Sequence, residues 1–323
     1  MPFKFTITKD IHLVDLDTQK LLNIVDDLEN RCVICRDVIS NDNRSKEHIY
    51  PRWLQKMFNL ENKKLILMNG TTITYKNLVV SCCTTCNGDI MGLNENIIKQ
   101  AFSSGIDEVR NIDEEFLVWW LLKIYYLQLV KDSTLKSDVK NPISPNIVSE
   151  QRIQNLQSVY YYMIELLKGV KFKGKIPYEL YIFPSEDIKF DYIDDVESNS
   201  VFIQINGIIV ICCFDSFSMF KEYYSNELVR LSKLEKVYSF EAIELFVKMS
   251  FFRKHFRYDT AITHQLDSDG VKMLNEIVSL SQIKEIELSE LHEYLVVNIK
   301  RLLPDIQSPG YEENKIITII RNT

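Results

Sequence analysis

Two Cys-x-x-Cys pairs constrain this chain more than any other feature. Cys32 and Cys35 form the first pair, and Cys83 and Cys86 form the second. Two such knuckles facing each other bring four thiolates to one tetrahedral metal ion, and zinc is the usual occupant. The chain has seven cysteines, an odd number, which suits reduced thiols and a metal better than a disulfide framework. Cys82 competes with Cys83 for the second knuckle, but Cys83 has the regular spacing. Cys212 and Cys213 lie in the apolar stretch "GIIVICCF" (207–214) and read as core.

A closed sulfur site staples a module too small to hold itself together. The residues between the knuckles are then fixed in place, and "RSKEHIYPRWL" (44–54) is the most unusual stretch among them. Charge is also uneven there. Residues 31–76 carry nine Lys/Arg against four Asp/Glu, although the whole chain has a formal net charge of −7. A phosphate backbone would be met locally, around Arg44, Lys46 and Arg52, and not by the molecule as a whole.

The 323 residues are 46% hydrophobic and 26% charged, an ordinary globular balance with enough apolar surface for a substantial core. No apolar run has the length of a membrane span, and the first residues lack a signal-peptide pattern, so a cytoplasmic protein is expected. The expected fold class is α+β, with a small zinc-stapled module over 1–105 and a larger mixed region over 106–323. Amphipathic helix is predicted over 15–30. Short strands are predicted at "SKEHI" and 77–82, a helix from Pro51 to about Phe58, and a hairpin over 64–76 around Asn69-Gly70. A helix follows over 87–102, then a linker over 103–113. Beyond it helices are expected at 114–131, 149–168, 217–232, 239–256 and 286–302. Strands are expected at 177–183, 187–193, 200–205 and 207–214. The aromatic run "VWWLLKIYYLQLV" reads as core at helical spacing, and "FFRKHFRY" (251–258) as a packed helix end.

In order, "CVIC", "EHIYPRW", "NLVV" and "CTTCN" resemble the HNH endonuclease family in its zinc-knuckle form. The resemblance covers residues 31–96. It implies a ββα-metal nuclease in which Glu47-His48 ends the first strand, Asn77 steadies the loop before the second, and Asn87 opens the helix. By this resemblance His48 is the general base, and a Mg²⁺ or Mn²⁺ ion is held by Glu47 and the Asn87 amide oxygen. Glu95 lies eight positions after Asn87, where a subset of such nucleases has an acid. It reads either as a further ligand, as an anchor behind the ion, or as a solvent-facing acid. No other histidine (His12, His255, His264, His292) has such a setting. The resemblance implies a DNA substrate and a role in anti-phage defence or in a mobile element. The rivals are a non-catalytic zinc-knuckle nucleic-acid-binding module and an RNA-cutting toxin. Residues 106–323 carry no recognisable catalytic set. A regulatory, sensing or dimerisation role is expected of them, through a homodimer or a regulatory partner.

Overall fold

The computed structural model describes residues 28–302, apart from 142, 148–149, 215, 268–269 and 283–285. The helix predicted over 15–30 lies outside these, save its last residues, which form a turn. The architecture is mixed α+β, and the chain divides into two compact units, the first ending at Val170 and the second beginning at Lys171. Among the described residues no helix is long and apolar enough to cross a membrane.

In the first unit, β1 (Arg44–His48) pairs antiparallel with β4 (Val79–Cys83), so that His48 sits opposite Val79 and Arg44 opposite Cys83. Between them come α1 (Arg52–Met57) and the hairpin of β2 (Lys64–Ile66) and β3 (Thr72–Thr74). The hairpin turns where Asn69-Gly70 predicts, with Gly70 at φ +76° and Asn69 Oδ1 accepting from Thr71. After β4, a wide π-type turn over Cys86–Gly92 leads into α2 (Leu93–Ser104). The stretch read as a linker instead folds into α3 (Ile106–Asn111), because Val109 and Ile112 have apolar surface to bury.

Two long helices complete this unit: α4 (Glu114–Ser133) and α5 (Glu150–Leu167). The module boundary expected at residue 105 therefore falls inside the first unit. The reason is visible in α4. Asp113 caps its start by accepting from Phe116 N, and every residue from Phe116 to Leu127 is buried. A helix apolar all round needs cover on all sides, and the cysteine module supplies part of it. Trp120 stacks on Trp53 of α1 at 6.4 Å and packs against Phe102 of α2 at 5.7 Å. The aromatic run is thus core, as its spacing predicts. Trp120→Ala is expected to cost about 3–5 kcal/mol in equilibrium unfolding by denaturant, the range for a fully buried aromatic.

The second unit holds a four-stranded antiparallel sheet in the order β6 (Glu179–Pro184), β9 (Ile208–Cys213), β8 (Ser200–Ile205), β7 (Phe190–Asp195). Strands β8 and β9 are buried along their whole length, and Cys212 and Cys213 are core residues. The predicted helix over 217–232 is two helices, α6 (Met219–Tyr223) and α7 (Ser225–Ser232). Helix α8 (Ser239–Lys254) lays Phe246, Val247 and Met249 into a core shared with Phe202, Ile209 and Ile211. Leu291, Leu295 and Ile299 of α9 (Leu288–Leu302) join the same core. A second sheet, unexpected from the sequence, pairs β10 (Phe256–Asp267) with β11 (Gly270–Gln282), and β11 runs parallel to β5 (Lys171–Gly174). "FFRKHFRY" accordingly spans a helix end and a strand start.

Candidate metal centre and polar cleft

The four knuckle sulfurs converge. Cys32, Cys35, Cys83 and Cys86 place their Sγ atoms within 4.8 Å of one another, with Cys35 and Cys83 4.0 Å apart. Sulfurs bound at about 2.3 Å around a tetrahedral zinc lie about 3.8 Å apart, so this donor set fits such an ion. The first knuckle closes through Arg36 N donating to Cys32 O at 2.9 Å, with Arg36 at φ +64°. The second closes through Cys86 N donating to Cys83 Sγ at 3.4 Å. Val33 N donates to Ser81 O at 3.0 Å and ties the two together across β4.

Crowding also shows in the protonation of the sulfurs. Hydrogen bonds from Cys35, Cys82 and Cys86 pull Cys32 far down, and the same contacts push those three up. A cation bound among the converging sulfurs would let its ligands ionise together. Cys82 lies 3.7 Å from Cys32 but is not one of the four, as the spacing argument for Cys83 expects.

Two helices brace the first knuckle from behind. Tyr126 of α4 donates to Val33 O at 3.0 Å, and Tyr160 of α5 donates to Ile34 O at 2.6 Å. Burial raises both phenols, so they stay protonated donors.

Beside the cysteine cluster opens a polar cleft of about 720 Å³, lined among others by Glu47, His48, Asn77, Asn87 and Glu95. These are the five residues singled out from the sequence. Strand β1 delivers Glu47 and His48, and the chain bends directly after them. Alternation along a strand separates neighbouring side chains, and Glu47 is indeed buried while His48 is half-buried. The second knuckle delivers Asn87. Its Nδ2 donates to Ser45 Oγ at 2.7 Å and to Lys46 O at 2.9 Å. A carbonyl accepts only from the NH₂ end of an amide, so the orientation is fixed and the Asn87 oxygen is left for another partner.

Burial and the Arg52 guanidinium hold the imidazole of His48 below the ordinary histidine value, against the pull of Glu47 and of the nearby Lys76 backbone, which favour its charged form. It is therefore neutral near pH 7 and able to accept a proton at a ring nitrogen. Leu78 O, next to Asn77, accepts from Ile49 N at 3.2 Å and ties this loop to the end of β1. Asn77 itself is exposed on the cleft wall.

Lys46 and Arg52 line the cleft, as expected, and Lys76 joins them. Arg44 does not: its guanidinium donates to Glu29 O at 3.2 Å. Lys131 in the last turn of α4 stands near Lys46, and burial together with that charge lowers it.

The residue that sequence reasoning missed is Lys123 of α4. Its ammonium is fully buried and donates to Glu47 Oε1 at 2.5 Å and to Glu95 Oε1. Burial alone would discharge it, and the two carboxylates more than offset that. Burial also pushes Glu95 up to about 7, Lys123 opposing and Glu47 adding to the rise. Glu95 is thus no solvent-facing acid. Among the described residues the four cysteines are the only set of three or more His, Cys, Asp or Glu donors lying so close together. The cleft offers instead two carboxylates and an amide oxygen, with a lysine behind the carboxylates.

Comparison of the chain with family models, with curated proteins and with solved structures finds no match.

Proposed function

We propose that this chain is a metal-dependent endonuclease of the HNH type that hydrolyses phosphodiester bonds in DNA, with a structural zinc in the cysteine cluster. One observation carries the reading. A neutral imidazole, a carboxylate and an oriented amide reach a single polar cleft from strand β1 and the turn after β4, beside a four-sulfur cluster. With all four positions taken by sulfur, the zinc has no open place for substrate and serves the fold.

His48, held neutral, takes the proton of the attacking water at a ring nitrogen. The oxygen donors fit a hard divalent cation, since Asn87 presents its oxygen and each carboxylate has an oxygen beyond the one that Lys123 holds. When bound there, Mg²⁺ or Mn²⁺ would neutralise charge on the scissile phosphate and its leaving oxygen. Lys46, Arg52 and Lys76 on the cleft wall receive the flanking phosphates, in line with the local excess of basic residues.

The test is relaxation of supercoiled plasmid by the zinc-loaded protein. Cleavage should require added Mg²⁺ or Mn²⁺ and stop when only those ions are withdrawn, with zinc content unchanged. Binding of plasmid without any cleavage under either ion would leave the non-catalytic binding module as the better reading. Cleavage of RNA alone in a parallel assay would move the substrate from DNA to RNA.

A further inference from the structure

We propose that Lys123, distant in sequence from the cleft residues, is a positioning residue for the divalent ion: its ammonium holds one oxygen of Glu47 and one of Glu95, so that their other oxygens turn to the ion. This rests on the function proposed above. Glu47 and Glu95 line the cleft, while Lys123 is fully buried and does not. The lysine therefore grips both acids from beneath the floor. Both contacts are to Oε1, so each carboxylate keeps its Oε2.

The grip is rigid because its helix is. Lys123 sits between Trp119, Trp120 and Tyr126, which are all fully buried. Without the ammonium, two carboxylates from β1 and α2 would face each other unshielded at the cleft floor and move apart. Lys123 is buried and does not line the cleft, so it acts only through Glu47 and Glu95.

The alternative is a plain counter-ion that stabilises the fold and nothing more. The two roles predict opposite signs. Removing a positive charge beside two ligands makes a site more attractive to a cation, whereas removing a positioning group scatters the ligands and makes it less so.

The experiment is calorimetric titration of Mn²⁺ into the full-length, zinc-loaded protein, for the wild type, Lys123→Met and Lys123→Gln, with zinc content and melting followed alongside. Positioning predicts Mn²⁺ binding weakened at least tenfold in a variant that keeps its zinc and melts cooperatively. Affinity unchanged or tightened overturns the proposal, as does loss of zinc and of cooperative melting in both variants. Where only the methionine variant fails to fold, the glutamine variant decides by the same criterion. A wild type that takes up no Mn²⁺ in the cleft overturns the proposal and the metal-dependent nuclease reading together. A wild type that binds Mn²⁺ and cuts DNA, beside lysine variants of equal affinity, overturns only the role of Lys123.

Discussion

Replacing His48 with alanine should slow plasmid cleavage by about 100- to 10,000-fold, the usual contribution of a general base, while zinc content and melting stay as in the wild type. The separation between activity and stability is what makes the result informative. His48 ends β1 and is half-buried. Its truncation removes little packing, and the pairing of β1 with β4 is made by backbone atoms that alanine retains. What disappears is the neutral nitrogen proposed to accept the water's proton. Single-turnover rates on plasmid at saturating Mg²⁺ would isolate that step. A variant that cuts within tenfold of the wild type would remove His48 from the chemistry and with it the assigned mechanism.

The largest effect on folding is expected at the knuckles. Cys35→Ser or Cys86→Ser should abolish stoichiometric zinc and the cooperative melting of the first unit. Structural zinc sites bind with about 10–16 kcal/mol of apparent free energy, and a whole domain is stable by only about 5–15 kcal/mol. Loss of one sulfur is therefore comparable with the entire margin. Cys82→Ser is the telling control. Its sulfur lies 3.7 Å from Cys32, yet it is not among the four that converge. That variant should keep one zinc per chain, measured by elemental analysis, and melt close to the wild type. Zinc retained in Cys35→Ser and Cys86→Ser but lost in Cys82→Ser would show that the ligand set had been misassigned.

How much of this was legible in the sequence depends on where the information is stored. The knuckles were readable because metal geometry forces their spacing; Glu47-His48 and Asn87, which share one cleft, stood out only through the resemblance of their flanking stretches to a known family. The Asn69-Gly70 turn was readable because φ above zero favours those residue types. Lys123 was not singled out, although its sign was present. A single charge inside "VWWLLKIYYLQLV" is a charge with no route to water, and a buried charge demands partners. What no local pattern could tell was which acids those partners were, since Glu47 and Glu95 are distant in the chain. The hairpin of β10 and β11 was missed for a different reason. Its strands alternate poorly, but the sequence carries Asp269-Gly270, a hairpin signal in its own right, and Asp267 pairs with Gly270. The backbone bond from Ile49 N to Leu78 O, which ties the loop beside Asn77 to the end of β1, carries no residue-type signature.

Helix α4 reaches both the cleft and the cysteine cluster within one turn: Lys123 meets the acids of the cleft, and three positions later Tyr126 meets the carbonyl of Val33 in the first knuckle. The segment from the first knuckle through α2 is consequently not a cassette that could be excised and transplanted into another protein as a working unit. Cut free at residue 105, it would leave behind the base plate on which its acids and its sulfur loop both rest.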